Sequence, residues 1–302
     1  MKLADLGSSG LRRQLRNGGI HLRTGPFVTR LRSSLPSVAD HLARLYGGYA
    51  VEPPTGFADF HVRLRLPAGP RRWFRPQVLF QFDGRTPFKP LPADQAFPML
   101  EWGLNWCVSN HAHQYLIVHA AVVEKNTHAA ILPAPPGSGK STLCAGLISR
   151  GWRLLSDELA LISPARLELV PLARPVNLKN DSIAVMRRFN PEAIFSEEFE
   201  DTNKGTVALM QAPADSIARQ QEPARPRWII LPRYEAGAAT RLARRDKSRM
   251  FMHMADSGFN YSLLGLQGFE TLSRLIDHCD CYEFVYSDLD EAVASFDKLA
   301  AE

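Results

Sequence analysis

No run of 18 apolar residues occurs in the 302-residue chain, so no stretch of it suits a membrane-spanning helix. Met1-Lys2-Leu3-Ala4-Asp5-Leu6-Gly7 lacks the apolar core of a signal peptide. Cysteine is scarce, and Cys107, Cys144, Cys279 and Cys281 show no C-x-x-C spacing, which excludes a disulfide framework and favours reduced thiols in the cytoplasm. Cys279-Asp280-Cys281 is a metal-like pair, but no second pair lies near it to complete a site. Acidic residues are few in one region only. Residues 1–80 hold 13 Lys/Arg against 4 Asp/Glu, whereas the remainder holds 23 against 27. Such a basic part suits nucleic acid, an acidic membrane surface or an acidic peptide, and it reads equally well as a solvated face. Arg71-Arg72-Trp73-Phe74-Arg75 could stack on bases, but no nucleic-acid module surrounds it, so nucleic acid remains a minor option and no membrane partner is expected. A 45% hydrophobic and 22% charged composition is that of a globular protein, and the length allows one large domain or two smaller ones.

The stretch that organises the chain is 128–162. Ala129-Ala130-Ile131-Leu132 reads as a buried strand, and Ser141 to Ile148 begins a helix with Leu143, Leu147 and Ile148 on one face. Between them lies Ala134-Pro135-Pro136-Gly137-Ser138-Gly139-Lys140-Ser141-Thr142. A strand, a glycine-bearing turn and a helix N-terminus aim backbone N–H groups at an anion. Gly137 and Gly139 let the backbone approach phosphate, Lys140 reaches the β- and γ-phosphates of ATP, and the Ser141 hydroxyl suits Mg²⁺. The phosphate-loop signature is met at every fixed position but the first, where Ala134 replaces glycine. Beyond the helix, Leu154-Leu155 runs into Ser156-Asp157-Glu158, and Leu159-Ala160-Leu161-Ile162 continues as a strand. Two adjacent carboxylates at a strand end fit a Mg²⁺-nucleotide site, one holding the metal and the other accepting a proton from an attacking hydroxyl.

From His119 to Ile162 these residues resemble the catalytic core of HPr kinase/phosphorylase, the bacterial P-loop protein kinase. In that family a histidine precedes the P-loop lysine by 21 residues, as His119 precedes Lys140, and paired aspartates follow it by 17 and 18, as Asp157 and Glu158 do. The match is ungapped over 44 residues and includes Gly151-Trp152-Arg153-Leu154-Leu155. More narrowly, Arg75-Pro76-Gln77-Val78, the run from Phe88 to Pro98 and Asn260-Tyr261-Ser262-Leu263-Leu264-Gly265 resemble the group called HPr kinase-related protein A. The resemblance implies an α/β fold: a P-loop kinase core of the HPr kinase C-terminal-domain type over 112–302, with a small N-terminal α+β lobe over 1–111. It implies an ATP- and Mg²⁺-dependent kinase acting on a hydroxyl of a peptide or small protein. His119, Lys140, Asp157 and Glu158 are the implied catalytic residues, with residues 134–142 on the nucleotide and Ser141 and Asp157 on the metal. Which carboxylate is the base stays open. Alone, His119 reads as a core histidine; in the family its counterpart sits beside the carboxylate pair, where an imidazole can orient a carboxylate or tune its pKa. His111 and His113 have no such support. The family's hexamer makes a homo-oligomer one expected assembly. Its catalytic arginine has no clear counterpart here, so kinase activity alone is expected. A nucleotide-binding sensor without transfer activity, and a small-molecule kinase, share the same motifs.

The remaining elements follow from patterning. Residues 1–18 predict a short helix or loose arm, and Ile20 to Arg32 two strands about Gly25-Pro26. A helix from Ser37 through Tyr46, strands over 57–66 and 77–82, and a helix over 99–108 complete the N-terminal half. Tyr115 to Val123 predicts the strand that holds His119. Residues 174–180 read as a loop into a helix near Asp181, with Lys179 and Asn180 placed to bind phosphate or to lie idle at the surface. The acidic stretch 190–206 reads as a mobile loop whose Lys204-Gly205-Thr206 closes over the nucleotide, and 212–226 as a surface connection. Trp228 to Pro232 predicts a buried strand and Asp246 caps a helix through Met254, with Met250, Met252 and Met254 as core filler. The resemblance adds that Arg244, Arg245 and Lys247 could face phosphate. Helices over 268–278 and 288–299 flank a strand over 282–286.

Overall fold

The structure, a computed structural model, describes residues 1–69 and 74–301. Alternation builds the N-terminal half. Strands β1 (Ile20–Thr24), β2 (Phe27–Ser33), β3 (Val51–Glu52), β4 (Phe60–Arg65), β5 (Gln77–Phe82) and β6 (Leu91–Pro92) form one sheet in the order β3-β1-β2-β4-β5-β6. Phe60, Val62 and Leu64 are buried while His61 and Arg63 between them are exposed, as the period of two requires. The core face of this sheet is covered by α1 (Gly7–Arg16), α2 (Pro36–Tyr46) and α3 (Ala96–His111), and Pro36 occupies the first turn of α2, where its missing N–H costs nothing. A Cβ on Gly103 of α3 would meet the Phe80 ring at 2.1 Å, so the helix approaches β5 as closely as glycine permits. Of the basic-aromatic stretch 71–75, residues 71–73 lie outside the described residues.

The second half is a larger mixed sheet. It contains β7 (Leu116–Lys125), β8 (His128–Pro133), β9 (Arg153–Ser156), β10 (Leu159–Ile162) and β11 (Leu169–Val170). Strands β12 (Val176–Lys179), β13 (Phe199–Thr202) and β14 (Gly205–Met210) make a third sheet, and β15 (Arg225–Tyr234), β16 (Arg241–Arg244) and β17 (Asp280–Tyr286) complete the large one. Its order is β11-β10-β7-β8-β15-β17-β16, with β9 also on β7; β8, β15 and β17 run parallel. The helices are α4 (Lys140–Ser149), α5 (Asp181–Phe189), α6 (Ala214–Ala218), α7 (Lys247–Asp256), α8 (Tyr261–Leu264), α9 (Leu266–His278) and α10 (Leu289–Ala301). Along β7 the two faces separate cleanly. Leu116, Val118, Ala120 and Val122 pack with Met250 and Met254 of α7 and Leu272 and Leu275 of α9. Ile117, Ala121 and Val123 join the other core, with Leu143 and Leu147 of α4. His119 shares that second parity and so faces α4. The second core is continuous from Leu3 to Leu299 and crosses the 111/112 position. The chain is a mixed α/β protein with mixed sheets.

Four expectations are corrected. Residues 176–179 form β12 rather than a loop, because Asn177 and Lys179 interrupt the apolar pattern while the backbone pairs with β14. The stretch 199–210 is a hairpin on β12, tied by Thr206 N donating to Asn180 Oδ1 at 3.1 Å, and 212–226 contains α6. Met252 is 60% exposed, since a residue two positions from the buried Met250 and Met254 points off their face of the helix.

Candidate functional site

The loop after β8 is shaped by two glycines in the left-handed region, Gly137 at φ +85° and Gly139 at φ +86°. It is held from outside: Tyr234 N donates to Ser138 O at 2.9 Å and the Tyr286 hydroxyl to Gly139 O at 2.9 Å. Gly139 is the N-cap of α4 and no side chain caps that end, so the first amides of the helix remain for an outside acceptor. They open into a cleft of about 860 Å³ lined by residues 135–142, His119, Glu158 and Lys179, and also by Arg188, Phe189 and Tyr286. That volume lies within the roughly 300–1,000 Å³ typical of ligand pockets. Ala134 is buried at the end of β8 and does not line the cleft, so the departure from the signature falls on a packing position. Lys179 and Asn180, given two roles by the sequence, both line the cleft.

The carboxylates sit in a break of the ladder. Ser156 pairs with Val122 and Leu159 with His119 in one register, which leaves Asp157 and Glu158 opposite Ala121 and Ala120 without strand pairing. Asp157 is buried; its Oδ2 accepts from Asn177 N at 3.2 Å and its carboxylate is also hydrogen-bonded by Ser141. Burial raises its pKa, against the opposing pull of Lys140. Asp157 Oδ1 and Asn177 Oδ1 have no partner among the described residues, and both residues line a polar cavity of about 20 Å³, the size of one water. An unsatisfied carboxylate oxygen beside a serine hydroxyl suits a divalent cation. Among the described residues no group of three His, Cys, Asp or Glu side chains forms a metal cage, so such a cation would need phosphate and water oxygens as well.

Glu158 is held differently. Its Oε2 accepts from Asn105 Nδ2 at 2.6 Å, Asn105 Oδ1 accepts from Arg174, and Arg174 pairs with Glu101 at 3.5 Å. The Tyr46 hydroxyl donates to Glu101 Oε1 at 2.6 Å, so a chain of polar contacts leads from α2 through α3 to the cleft. Burial pushes the Glu158 carboxyl up, but Lys204, Lys140 and Lys179 together outweigh it and keep the group below its ordinary range. Lys204 comes from the turn between β13 and β14, where its ammonium lies 5.0 Å from the Trp102 ring centre.

Lys140 Nζ lies 3.0 Å from His119 Nε2. Burial, and then Lys140 itself, lowers the His119 pKa to about 4, so the ring is neutral near pH 7 and Nε2 accepts from the ammonium. The hydrogen-bond partner of Nε2 is therefore the lysine, while the ring also lies within electrostatic reach of Glu158. Its neighbour on the open side is Phe259, with ring centres 5.9 Å apart. Arg244, Arg245 and Lys247 are also corrected. They engage Asp280, Glu283 and the Asp277 carbonyl on the α7–α9 side and do not line the cleft. His111 packs against Phe82, away from the site. Sequence reasoning missed Asn105, Arg174 and Asn177. The signal for Asn105 was present: Glu101 and Asn105 stand four apart within the apolar run from Ala96 to Val108, hence on one face of the helix. No family model matches the chain, and no curated protein matches it.

Proposed function

We propose that this protein is an ATP-dependent kinase with a P-loop core of the HPr kinase type, acting on a hydroxyl of a peptide or small protein. The observation that carries it is that Glu158 lines the same cleft as residues 135–142, with Lys204, Lys140 and Lys179 acting on its carboxylate. The amides of residues 137–142 and Lys140 would hold the phosphates. Ser141 and Asp157 would hold Mg²⁺, which when bound offsets phosphate charge. Glu158 receives the proton of the acceptor hydroxyl as the new O–P bond forms and the bond to the β-phosphate oxygen breaks, leaving ADP. A carboxylate kept ionised by lysines is ready to take that hydrogen bond, and it gains basicity as the lysines turn to phosphate. Asn105 fixes which way Glu158 points. Neutral His119 gives Lys140 an acceptor while the cleft holds no phosphate.

The test is transfer of labelled γ-phosphate from ATP, with lysate split into peptide and small-molecule pools as acceptors. Label should enter a peptide with the parent protein and fail to do so with Glu158→Gln or Lys140→Ala. Tight ATP binding with no transfer to either pool would leave a nucleotide sensor instead, and transfer undiminished in Lys140→Ala would sink the site assignment.

A further inference from the structure

The six-stranded sheet has a second face, turned from the core, and it is arginine-rich. On β2 and β4 the outward positions are Arg30 and Arg32 beside His61, Arg63 and Arg65. The register sets Arg32 directly across from Arg63, and Arg30 between His21 of β1 and His61 of β4. Like charges directly opposed on neighbouring strands destabilise a sheet. Arg30, Arg32, Arg63 and Arg65 have no carboxylate partner among the described residues; Arg30 and Arg32 reach carbonyls of Gly18 and Asn17, and Arg65 reaches Gln81. Arg32 Nε and His21 Nδ1 are buried with no partner among the described residues. The fold thus maintains two directly opposed arginines, Arg32 and Arg63, on its outer face.

We propose that this face docks an acidic stretch of polypeptide, lying extended along β2 and β4. A carboxylate already fits the face: Glu52 holds Arg23 at 2.5 Å at its edge. The outward cations on β1, β2 and β4 are arginines with no lysine, and the arginine fork pairs both oxygens of one carboxylate. Alternate residues of an extended peptide are about 6.8 Å apart, the spacing of Arg30 from Arg32 and of Arg63 from Arg65. Single-stranded nucleic acid is disfavoured because those outward positions carry no Phe, Tyr or Trp on which bases stack. A bilayer is disfavoured because the apolar outward residues, Val28 and Leu79, are too few to insert.

Fluorescence anisotropy on the full chain tests this with a labelled peptide of alternating glutamate and threonine. A uridine oligonucleotide and phosphatidylserine vesicles are measured alongside. The peptide should bind with an affinity that falls as salt rises, and Arg63→Glu with Arg65→Glu should weaken it by about tenfold or more. Both positions are solvent-facing, and the milder pair Arg63→Gln with Arg65→Gln, expected to weaken binding less, covers the case of a misfolded reversal variant. Arg63→Gln alone should raise Tm, since it removes one of two opposed charges. Peptide binding unchanged in both pairs, tighter binding of the oligonucleotide or vesicles, or a lower Tm in Arg63→Gln would each overturn the assignment. So would the absence of binding by all three probes.

Discussion

Burial, with the Lys140 ammonium hydrogen-bonded beside it, keeps the His119 imidazole neutral, and this has a measurable sign. The native pKa of about 4 lies below the ordinary 6.5, so between these values an unfolded chain binds a proton that the native chain does not. Acidification through that window therefore removes stability. Denaturant unfolding at several pH values should show a shallower loss in His119→Gln than in the parent. Asn105 makes a second prediction at this scale. Asn105→Ala leaves the phosphate loop intact but frees Glu158, so kcat should fall by about tenfold with KM for ATP unchanged, and initial-rate kinetics separates the two. Lys140, Asp157 and Glu158 stood out in the sequence because a glycine-bearing turn before a helix and two carboxylates at a strand end are local signals, and the structure places Lys140 and Glu158 on one cleft with Asp157 buried beside them. Asn105 and Arg174 did not stand out, since Asn105 meets Glu158 across 53 residues and Arg174 meets Asn105 across 69, distances that only the fold closes.

At the scale of elements, the glycines of the loop differ in what surrounds them. A Cβ at Gly139 would lie 2.5 Å from the Tyr286 hydroxyl and 2.8 Å from Tyr234 Cβ, whereas at Gly137 nothing stands within 4 Å. Both sit at positive φ, where an alanine costs roughly 1–2 kcal/mol. Gly139→Ala should therefore displace β15 and β17 from the loop and weaken ATP binding far more than Gly137→Ala, a ranking that calorimetric titration resolves. Elements with a strong period were readable: β4 alternates, and α2 and α9 each have one apolar face. The strand β12 was hidden because Asn177 and Lys179 turn toward the cleft, so the residues that serve the site break the pattern that would announce the strand. The hairpin of β13 and β14 was hidden by its acidic composition, although it packs on β12 through Val207, Ala208 and Leu209.

At the scale of the molecule, buried charge spans both halves. Arg174 is 8% exposed and Glu101 4%, and Arg174→Ala would leave Glu101 buried without its cation. That loss should cost about 3–5 kcal/mol, read as a lower midpoint in guanidinium unfolding. A single core running from Leu3 to Leu299 further predicts that both halves unfold in one transition. The composition bias of residues 1–80 foreshadowed the cationic outer sheet, but not that the inner side of the same lobe reaches the cleft. Asn105 is the residue that does so, from a helix seated against β5 through the notch at Gly103. The N-terminal half is therefore not a detachable accessory. Cutting or grafting the chain at 111/112 would separate Glu158 from the amide that aims it, and any successful swap of modules would have to carry α3, with its glycine notch and its Glu101–Asn105 pair, along with the receiving core.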